Sequence, residues 1–527
     1  MTTIIHIAAL AAICFYAAAR LRRELQMLQQ NSYRPDRYWR WLRGQAGVPS
    51  VDVVTDILMF TMLGGFFRSS VAIYAIVAIA LASLYKGVRA MLRRSKKPLV
   101  FTARAWRIYL VALGLTLAAT AGVWLWGGVW WAAAVALVTG VAGAPYVAIA
   151  AVWMLSPVER AINRRYLDDA RRILRSLPRL VVIGITGSYG KTSTKHYLHR
   201  ILSERFSVVM TPGSFNTTLG VVRTIREHLK PYTEVFIVEM GAKQPGDIAE
   251  ICELVHPSIG IITAVGEQHL ESFKTIENVQ RTKFELIDAL PPDGVAILND
   301  DFEYIASRPV DNVARVMRYT SRDVSPPPFE TRLVGRYNLS NIYAAWLAGR
   351  TLGMTDAEMR HAIADIRSVE HRLEVRRTPG GVTIIDDAFN SNPHGAAMAL
   401  EVLAGFGNNT PQSKPQATHE GGPGRPDGSP NASGRRIIVT PGMIELGPKQ
   451  HELNRTFGRQ IAAAADIAVI VGQYNRQAIL AGLDDEGFPN ENIYAANDFA
   501  DASQHVSKLT HTGDTILYEN DLPDTFR

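Results

Sequence analysis

The chain opens with apolar stretches that only occasional charges interrupt. Five stretches share this character, at residues 2–19, 53–67, 71–85, 108–126 and 129–155. The last two reach the roughly 20 residues that an upright membrane-spanning helix needs, whereas 53–67 and 71–85 fall short and could pair as a helical hairpin. The pattern predicts a multi-pass helical membrane region over residues 1–155. Buried helices of a soluble protein are the weaker alternative, because uninterrupted runs such as 108–126 are rare there.

Arginine is concentrated between these stretches. Arginine-rich segments lie at residues 20–43, 86–107 and 160–179, and the first of them follows the first apolar run. A secretory signal carries its positive charges before the apolar run, so residues 2–19 are predicted to be a retained membrane helix with its N-terminus outside. Five crossings, with turns near Arg68 and Gly127, or three crossings would place all these segments in the cytoplasm. We therefore expect a cytoplasmic (inner) membrane protein whose C-terminal part faces the cytoplasm.

A helical pattern rich in arginine follows the last apolar stretch. Its apolar residues recur at helical spacing, at Val158, Ile162, Tyr166, Ala170 and Ile173. This spacing predicts an amphipathic linker helix over residues 156–179, of a kind that can lie on anionic membrane lipid.

From residue 180 onward, short apolar runs alternate with helical patterns. The runs of strand type are 180–185, 235–238, 260–264, 295–298, 382–385, 437–439, 467–471 and 515–518. Such alternation predicts an α/β fold with parallel sheets that carry helices on both faces. Residues 405–434 are rich in Gly, Pro, Ser and Asn, and we expect them to form a disordered surface insertion.

Charge divides the 527-residue chain near residue 155. Before that point, 16 lysines and arginines accompany four acidic residues and eight of the nine tryptophans. The remainder holds 40 basic and 45 acidic residues, so the two parts carry +12 and −5 of the total charge of +7. Because the basic excess lies with the apolar part, it indicates membrane lipid as a partner and argues against nucleic acid. Two cysteines, Cys14 and Cys252, provide neither a disulfide framework nor a thiolate metal cluster.

The run 180–185 leads into a glycine-rich turn before a helical pattern. The turn reads Thr186-Gly187-Ser188-Tyr189-Gly190-Lys191-Thr192-Ser193. Backbone amides of such a turn surround phosphate oxygens, while Lys191 can reach the terminal phosphates and the Thr192 hydroxyl can bind magnesium. The match to the general Walker pattern is incomplete, because that pattern has a glycine where Ile185 stands. The order of strand, turn and helix favours a nucleotide site over a chance glycine turn.

Three further polar residues lie at strand ends or in short loops, where parallel sheets present ligand sites. Glu239 closes a strand-type run and is either a magnesium ligand or a local loop cap. His269 follows another such run and is either a ligand or a structural histidine. Lys283, taken alone, fits a solvated helix lysine. The residues by themselves leave these alternatives open.

A series of motifs in order over residues 180–527 resembles the Mur ligases, ATP-dependent amide ligases that extend the peptide stem of cell-wall precursors. The motifs are TGSYGKTS, FNTTLGVVRTI, VEMGA, VGEQHLESF, TKFEL, GRYNLSNIYAA, EHRLE, DDAFNSNP and PGMIELGPKQHELN. The branch that adds D-alanyl-D-alanine to a muramoyl tripeptide is the most similar. The resemblance implies a P-loop ATPase-like central ATP-binding domain over 180–370 and a Rossmann-like C-terminal domain over 371–527.

The resemblance also implies a role for particular residues. The implied nucleotide-binding residues are Thr186, Gly187, Ser188, Gly190, Lys191, Thr192, Ser193, Asn338, Asn341, Arg372, Asp386 and Asn390. The implied ligands of two magnesium ions are Thr192, Glu239, His269 and Lys283, the last as a carbamate. The implied substrate-binding residues are Asn216, Thr217, Glu445, Leu446, Gly447 and His451. Catalysis is assigned to Lys191, Lys283, His269 and Arg372, with Arg372 reaching the terminal phosphate when the domains close.

The implied reaction transfers the terminal phosphoryl group of ATP to a carboxylate, after which an amine displaces phosphate. The implied partners are a muramoyl peptide, linked to uridine diphosphate or to lipid, and D-alanyl-D-alanine or another amine. The membrane region stands where the family has a domain that binds the uridine diphosphate sugar, so that substrate does not carry over directly. Two alternatives remain: a Mur-type ligase or amidating enzyme for a different acid or amine, and a membrane protein that uses nucleotide binding for regulation or assembly.

Overall fold

The computed structural model describes residues 2–31, 33–44, 56, 72–92, 98–268, 270–324, 327–389, 391–406 and 434–521. His269, Asn390, residues 407–433 of the predicted insertion and most of the stretch 53–67 lie outside these residues. The chain forms two compact units, the first ending at Arg165 and the second beginning at Tyr166.

The first unit is helical. Its helices are α1 (Thr2–Gln30), α2 (Pro35–Gly44), α3 (Ala72–Leu92), α4 (Ala103–Leu137) and the first part of α5 (Ala144–Arg175), which follows a π-helical segment, Val138–Ala142. Among the described residues, three segments are long and apolar enough to cross a membrane, namely Ile4–Gln30, Tyr74–Leu92 and Ala103–Trp126. The predicted helical membrane-type region is confirmed to this extent.

The last predicted apolar stretch, 129–155, differs from a single straight span. Gly128 has a left-handed backbone (φ 79°) that interrupts α4, as predicted for the turn near Gly127. Beyond it, Trp131–Ala142 and Ala144–Arg175 meet at a bend of 77°. Helices bent this sharply form at most a broken span, so the described residues provide three candidate crossings, or four if this pair counts as one.

Helix α3 extends well beyond the predicted apolar stretch 71–85, through a charged residue. Lys86 lies within α3, and its Nζ lies 2.6 Å from Oδ1 of Asp56. The Tyr16 hydroxyl donates to the same carboxylate at 3.2 Å. Placing a lysine in an apolar membrane helix costs less free energy when its charge is paired with a carboxylate than when it is unpaired. This pairing explains why the candidate span continues past Lys86.

The predicted linker helix is the second part of α5, which is continuous from Ala144 to Arg175 and contains Pro157. From Tyr166 onward this helix belongs to the second unit, where Ala170 is fully buried. Asp169 accepts a hydrogen bond of 2.7 Å from Nε of Arg226. The apolar positions of the linker pattern therefore pack, in part, against the core of the second unit.

The second unit contains two sheets in succession. The strands of the first sheet are β1 (Val181–Thr186), β2 (Val208–Met210), β3 (Val235–Glu239), β4 (Ile259–Ile262), β5 (Val295–Asn299) and β6 (Arg315–Tyr319). Their order is β2-β3-β1-β4-β5-β6, and all pairs are parallel. The helices around this sheet are α6 (Lys191–Leu202), α7 (Thr218–His228), α8 (Asp247–Val255), α9 (Leu270–Phe273), α10 (Ile276–Asp288), α11 (Glu303–Ala306), α12 (Arg336–Thr351) and α13 (Asp356–Ala364).

Successive residues of β1 and β3 belong to different cores, which lie on opposite faces of the first sheet. Phe236 packs in one core with side chains of α7, α8 and α10, whereas Ile237 packs in the other with side chains of α6, α12 and α13. This alternation follows from the period of two in a strand. It confirms the prediction of a parallel sheet with helices on both faces.

The second sheet forms the C-terminal part. Its strands are β7 (Glu374–Arg377), β8 (Thr383–Asp387), β9 (Arg436–Thr440), β10 (Ile467–Val471), β11 (Ile493–Ala496) and β12 (Thr515–Glu519), in the order β11-β10-β9-β12-β8-β7. Only β7 is antiparallel to its neighbour among these described strands. The helices are α14 (Pro393–Gly405), α15 (Gln450–Ala464), α16 (Arg476–Asp485) and α17 (Phe499–Leu509), with short 3-10 turns at Gly447–Lys449 and Asn490–Asn492.

All eight predicted strand runs correspond to strands of these sheets, but four strands lack a prediction. The missed strands are β2, β6, β7 and β11. Each lies at a sheet edge. Edge strands are partly exposed and tolerate charged residues, as in β6 and β7, so no continuous apolar run marks these two. Strands β2 and β11 are apolar, but they are only three and four residues long.

Candidate nucleotide and magnesium site

The predicted phosphate loop connects β1 to α6 at the carboxyl edge of the first sheet. Gly190 precedes α6 with a left-handed backbone (φ 83°), and a Cβ there would lie 2.7 Å from Oδ1 of Asn341. A Cβ at Gly187 would lie 2.2 Å from Oγ1 of Thr263. Both positions therefore require glycine, and the loop presents its backbone at the N-terminus of α6, where anions bind favourably.

Lys191 is folded back onto this loop. Its Nζ donates to the carbonyl oxygens of Gly187 at 2.7 Å and Ser188 at 3.2 Å. Burial lowers the pKa of Lys191 to about 8, and the nearby Arg372 adds to the lowering while Glu239 opposes it. An anionic ligand would restore the charged form and compete with the carbonyls for the ammonium group.

The two expected ligands of the nucleotide magnesium lie in contact. The Thr192 hydroxyl donates a hydrogen bond of 3.1 Å to Oε2 of Glu239, whose side chain is almost completely buried at the end of β3. Burial alone would raise the pKa of Glu239, but Lys195 and Lys191 outweigh it and hold that pKa below its usual range. A hydroxyl beside an ionised carboxylate is a suitable oxygen donor set for magnesium when phosphate oxygens complete it.

Asn338 and Asn341, two of the expected nucleotide-binding residues, lie in α12, which packs against α6, and both are buried. Asn338 accepts a hydrogen bond of 2.7 Å from the Tyr197 hydroxyl, and Asn341 accepts one of 3.1 Å from the Thr194 hydroxyl. Nδ2 of Asn341 is buried and has no hydrogen-bond partner among the described residues. A buried donor left unpaired is costly, and a ligand with an acceptor beside Gly190 would satisfy it. This unpaired donor fits a bound nucleotide.

Arg372 lies in a strained connection between the two sheets. Its neighbours His371 (φ 58°) and Leu373 (φ 46°) both have left-handed backbones. The Arg372 guanidinium lies 4.5 Å above the Phe389 ring. Non-glycine residues in this conformation persist only where their surroundings impose it, and they concentrate at functional sites.

The carboxylate of Asp386 contacts side chains of the protein itself rather than facing an open ligand site. Its Oδ2 lies 2.9 Å from Nδ1 of His371 and 2.9 Å from the Arg376 guanidinium. The predicted nucleotide-facing role of Asp386 would therefore be exercised through the position of His371, next to Arg372.

The phosphate-loop helix and Arg372 both line a cleft of about 780 Å³ in the second unit. Its walls include Thr192 and His196 from α6, Gly213 from the loop after β2, and Arg372 with Phe389. The helix after the phosphate loop, the loop that leads to the predicted substrate-binding residues, and the arginine expected to reach the terminal phosphate therefore line one space.

Lys283 is nearly fully buried in α10 and makes neither a hydrogen bond nor an ion pair with any described residue. Burial lowers its pKa to about 7, and the charge of Lys191 adds to the lowering. Glu285 does not pair with it: its carboxylate accepts hydrogen bonds from the backbone amides at the start of α8, including Gly246 at 2.7 Å. With this pKa, about half of the Lys283 side chains are uncharged at pH 7, unlike the solvated helix lysine of the alternative interpretation.

The predicted substrate-binding residues differ in their contacts and in their burial. Asn216 donates a hydrogen bond of 3.1 Å to Oε1 of Glu239, whereas Thr217 accepts one from Gly220 N and caps α7. Leu446 is 1% exposed and packs in the core beneath the second sheet, which accounts for its apolar side chain. Glu445 has a left-handed backbone (φ 63°), and Gly447 opens the 3-10 turn that precedes α15.

Other predicted positions are structural or exposed. His451 is exposed at the start of α15. The Thr186 hydroxyl donates 2.9 Å to the Met240 carbonyl, the Ser188 hydroxyl donates 3.1 Å to the Gly266 carbonyl, and Ser193 is buried. The hydroxyls of Thr186 and Ser188 therefore hold the loop in shape. Among the described residues, no group of three or more His, Cys, Asp or Glu side chains could hold a metal ion.

Sequence reasoning missed Lys195, which is fully buried next to Glu239. Its position one helical turn after Lys191 was the available signal. That signal is weak, because a lysine in a helix usually lies on a solvated face.

Two carboxyl groups, the buried Glu519 and the half-buried Asp387, lie at the carboxyl edge of the second sheet. Burial raises the pKa of Glu519 to about 7 and that of Asp387 to about 6. The Thr440 hydroxyl donates a hydrogen bond of 2.8 Å to Oε2 of Glu519, and the Ser391 hydroxyl donates to Oε1. In the folded protein, Glu519 therefore keeps its proton to a higher pH than an exposed glutamate does.

This protonation makes stability pH-dependent. From the ordinary pKa of 4.5 up to about 7, the unfolded chain loses the Glu519 proton while the folded chain keeps it, so stability falls as pH rises. The expected loss is about 3 kcal/mol. Glu519→Gln should flatten the calorimetric Tm profile between pH 5 and 8, leaving the smaller contribution of Asp387. The exposed Glu491→Gln should keep the wild-type slope, and an equally steep profile for Glu519→Gln would contradict the assignment.

Comparison with known proteins agrees with this geometry. Residues 185–325 match the Mur ligase middle domain. UDP-N-acetylmuramoyl-tripeptide--D-alanyl-D-alanine ligase of Mycobacterium bovis is 32% identical over 321 residues, which cover 56% of this chain and 58% of that protein. The ligase of the same name from Bacillus subtilis is 26% identical and covers 64% and 72%. The chain thus spans less than two thirds of the length of its Mycobacterium relatives.

Solved structures share the fold of the second unit. A MurF ligase from Thermotoga maritima in complex with ADP gives a TM-score of 0.54 at 23% identity, covering 68% of this chain and 80% of that one. MurF from Acinetobacter baumannii gives 0.53 at 22%, covering 68% and 77%. The predicted pair of α/β domains is confirmed.

Proposed function

We propose that the chain is an ATP-dependent, ADP-forming amide ligase that works through an acyl phosphate. The observation that carries the proposal is the convergence at one sheet edge of a phosphate loop with Lys191, the Thr192–Glu239 pair and the unpaired Asn341 amide. The ligase name of the relatives and the ADP bound in the Thermotoga maritima structure support the same assignment.

The side chains suit the two steps of this reaction. A carboxylate oxygen of the acid attacks the terminal phosphorus of ATP and ADP leaves; the amine then attacks the acyl carbon, loses a proton, and phosphate leaves. Both reactants of the first step are anionic, and Lys191 with Arg372 would offset their repulsion. Magnesium held by Thr192 and Glu239 would supply further charge neutralisation at the phosphates. Orientation of the reactants in the cleft contributes the rest.

We assign Lys283 a carbamate. Its uncharged Nζ attacks carbon dioxide, a new N–C bond forms and a proton is released, which turns the lysine into an anionic oxygen ligand. The lowered pKa and the absence of a described hydrogen-bond partner favour this modification, because only the neutral amine reacts. Together with His269, the carbamate would hold a second magnesium ion.

The substrates are proposed from the relatives. Their printed name specifies a UDP-N-acetylmuramoyl tripeptide and D-alanyl-D-alanine. For this chain we propose a muramoyl peptide as the acid and D-alanyl-D-alanine, or another amine, as the nucleophile. We propose that Asn216 orients the acid and that the loop around Glu445 orients the amine. Candidate membrane spans precede the middle domain, so a lipid-linked form of the acid is the favoured one.

The test uses the full chain in lipid nanodiscs. Candidate muramoyl peptides, labelled D-alanyl-D-alanine and magnesium ATP are supplied, ADP is measured, and the product is identified by mass. The proposal requires one amide product per ADP formed. ADP release that depends on the acid but yields a different product would favour a Mur-type ligase for another acid or amine.

A second candidate is a membrane protein that uses nucleotide binding for regulation or assembly. The candidate spans favour it, since they join a nucleotide site to a membrane. Binding of ADP without any acid-dependent turnover would support this candidate and contradict the ligase.

The orientation that we propose places the second unit in the cytoplasm of a cytoplasmic-membrane protein. ATP is available there, and arginine-rich segments at 20–43, 86–107 and 160–179 are retained on that side. A reporter enzyme active only in the cytoplasm, fused after Arg527, should be active, and an exported reporter at the same place should be silent. The reverse pattern would contradict this orientation.

A further inference from the structure

A buried cation lies beside the proposed magnesium site. Lys195 is fully buried in α6, and its Nζ lies 2.9 Å from Oε2 of Glu239. The same Nζ donates a hydrogen bond of 2.6 Å to the carbonyl oxygen of Gly213. One side chain thus joins the carboxylate at the end of β3 to the loop that follows β2.

A second set of contacts joins the same loop to β3. Asn216 donates to the other carboxylate oxygen of Glu239 at 3.1 Å, and its carbonyl accepts a hydrogen bond of 2.8 Å from Gly241 N. The backbone amide of Glu239 donates to the Thr211 hydroxyl at 3.1 Å. We call residues 211–217 the acid loop, because they include the two residues proposed to contact the acid. Both oxygens of Glu239 therefore engage this loop, one directly and one through Lys195.

The same carboxylate serves the proposed metal. Thr192 also donates to Oε2, the oxygen that pairs with Lys195. A carboxylate this deeply buried needs a counter-charge, and Lys195 supplies it. A divalent cation at Thr192 and Glu239 would draw on the same negative charge. Its arrival must therefore change the balance of forces on Lys195 and Asn216.

We infer that Lys195 is a positioning residue that couples the acid loop to the magnesium site through Glu239. The inference rests on the proposed function and deepens it. Binding of the magnesium nucleotide reorganises the acid loop, and by the reciprocity of coupled equilibria an acid on that loop changes the affinity for the magnesium nucleotide.

Hydrogen exchange of the full chain in nanodiscs tests this coupling without any turnover. In the wild type, magnesium ADP should slow exchange in the phosphate loop, residues 186–193, and change exchange in the acid loop at least fivefold. ADP with EDTA should leave the acid loop unchanged. In Lys195→Met the phosphate loop should still be slowed, while the acid loop should change less than twofold. Lys195→Arg, which keeps a cation, should recover at least half of the wild-type change.

Controls separate coupling from general damage. Lys230→Met removes an exposed lysine from the same domain and should behave as the wild type. If Lys195→Met fails to fold, Asn216→Ala cuts the other link from a partly exposed side chain and should also weaken the acid-loop change. A full wild-type response of the acid loop in either variant overturns the inference. Absence of phosphate-loop protection in the wild type would instead overturn the proposed function, and the inference with it.

Discussion

Replacing Lys283 by alanine is expected to lower acid-dependent ADP release roughly a thousandfold, because loss of a metal-binding anion at the phosphates costs several kcal/mol in the transition state. Lys283 is buried without a described partner, so truncation leaves a space beside the phosphate loop rather than a broken ion pair. Acetate, a small carboxylate, should enter that space and restore part of the activity. The measurement is a coupled ADP assay with and without acetate.

Lys191→Ala provides the matched comparison. It removes a cation from the same site, and its activity should fall by a similar factor, but no carboxylate can replace an ammonium group. Rescue of both variants by acetate would point to an unspecific salt effect. Full activity of Lys283→Ala without additives would contradict the proposed second magnesium site. The alternative of a nucleotide-binding regulatory protein would then remain.

A lipid-linked muramoyl peptide is expected to be used with a kcat/KM at least a hundredfold above that of the soluble uridine diphosphate form. Confinement of enzyme and acid to one membrane raises the effective concentration of the acid by factors of this size without any new contact. The candidate spans in the first unit motivate the expectation. Rates for both acids should be compared with the full chain in lipid vesicles.

Surface dilution provides the control. Adding inert lipid at a constant bulk concentration of the acid should slow the reaction of the lipid-linked form, and it should leave the soluble form unaffected. Equal kcat/KM values for the two forms would remove the proposed role of the membrane in substrate delivery. The anchor would then serve only to localise the enzyme.

The sequence predicts the centre of each sheet better than its margins. Strands β1, β3, β4 and β5 are buried on both faces, and burial of this kind requires continuous apolar runs that are visible in the sequence. Of the edge strands, β6 and β7 carry charges because one side of each remains accessible, whereas β2 and β11 are apolar but only three and four residues long. Their existence depends on pairing with a neighbour rather than on their own composition.

In the candidate site, too, features set by nearby residues can be predicted from the sequence, whereas features set by distant residues cannot. The phosphate loop is a local feature of β1, a glycine turn and α6, so its spacing alone identifies it. The burial of Lys195 and Lys283 depends on residues distant in sequence, and neither lysine differs from a solvated one in its local pattern. Leu446 shows the converse, since a motif position assigned to substrate lies in the core.

If the site binds nucleotides as proposed, the folded-back position of Lys191 would also affect which adenine nucleotides are selected. Its two hydrogen bonds to the carbonyls of Gly187 and Ser188 are given up only for a ligand that offers more negative charge. AMP has no phosphate that extends as far along the loop as those of ADP or ATP, so it cannot exchange these bonds for stronger ones. In a starved cell, where AMP accumulates, Lys191 would stay bound to its own loop, and the site would discriminate against AMP by means of its resting conformation.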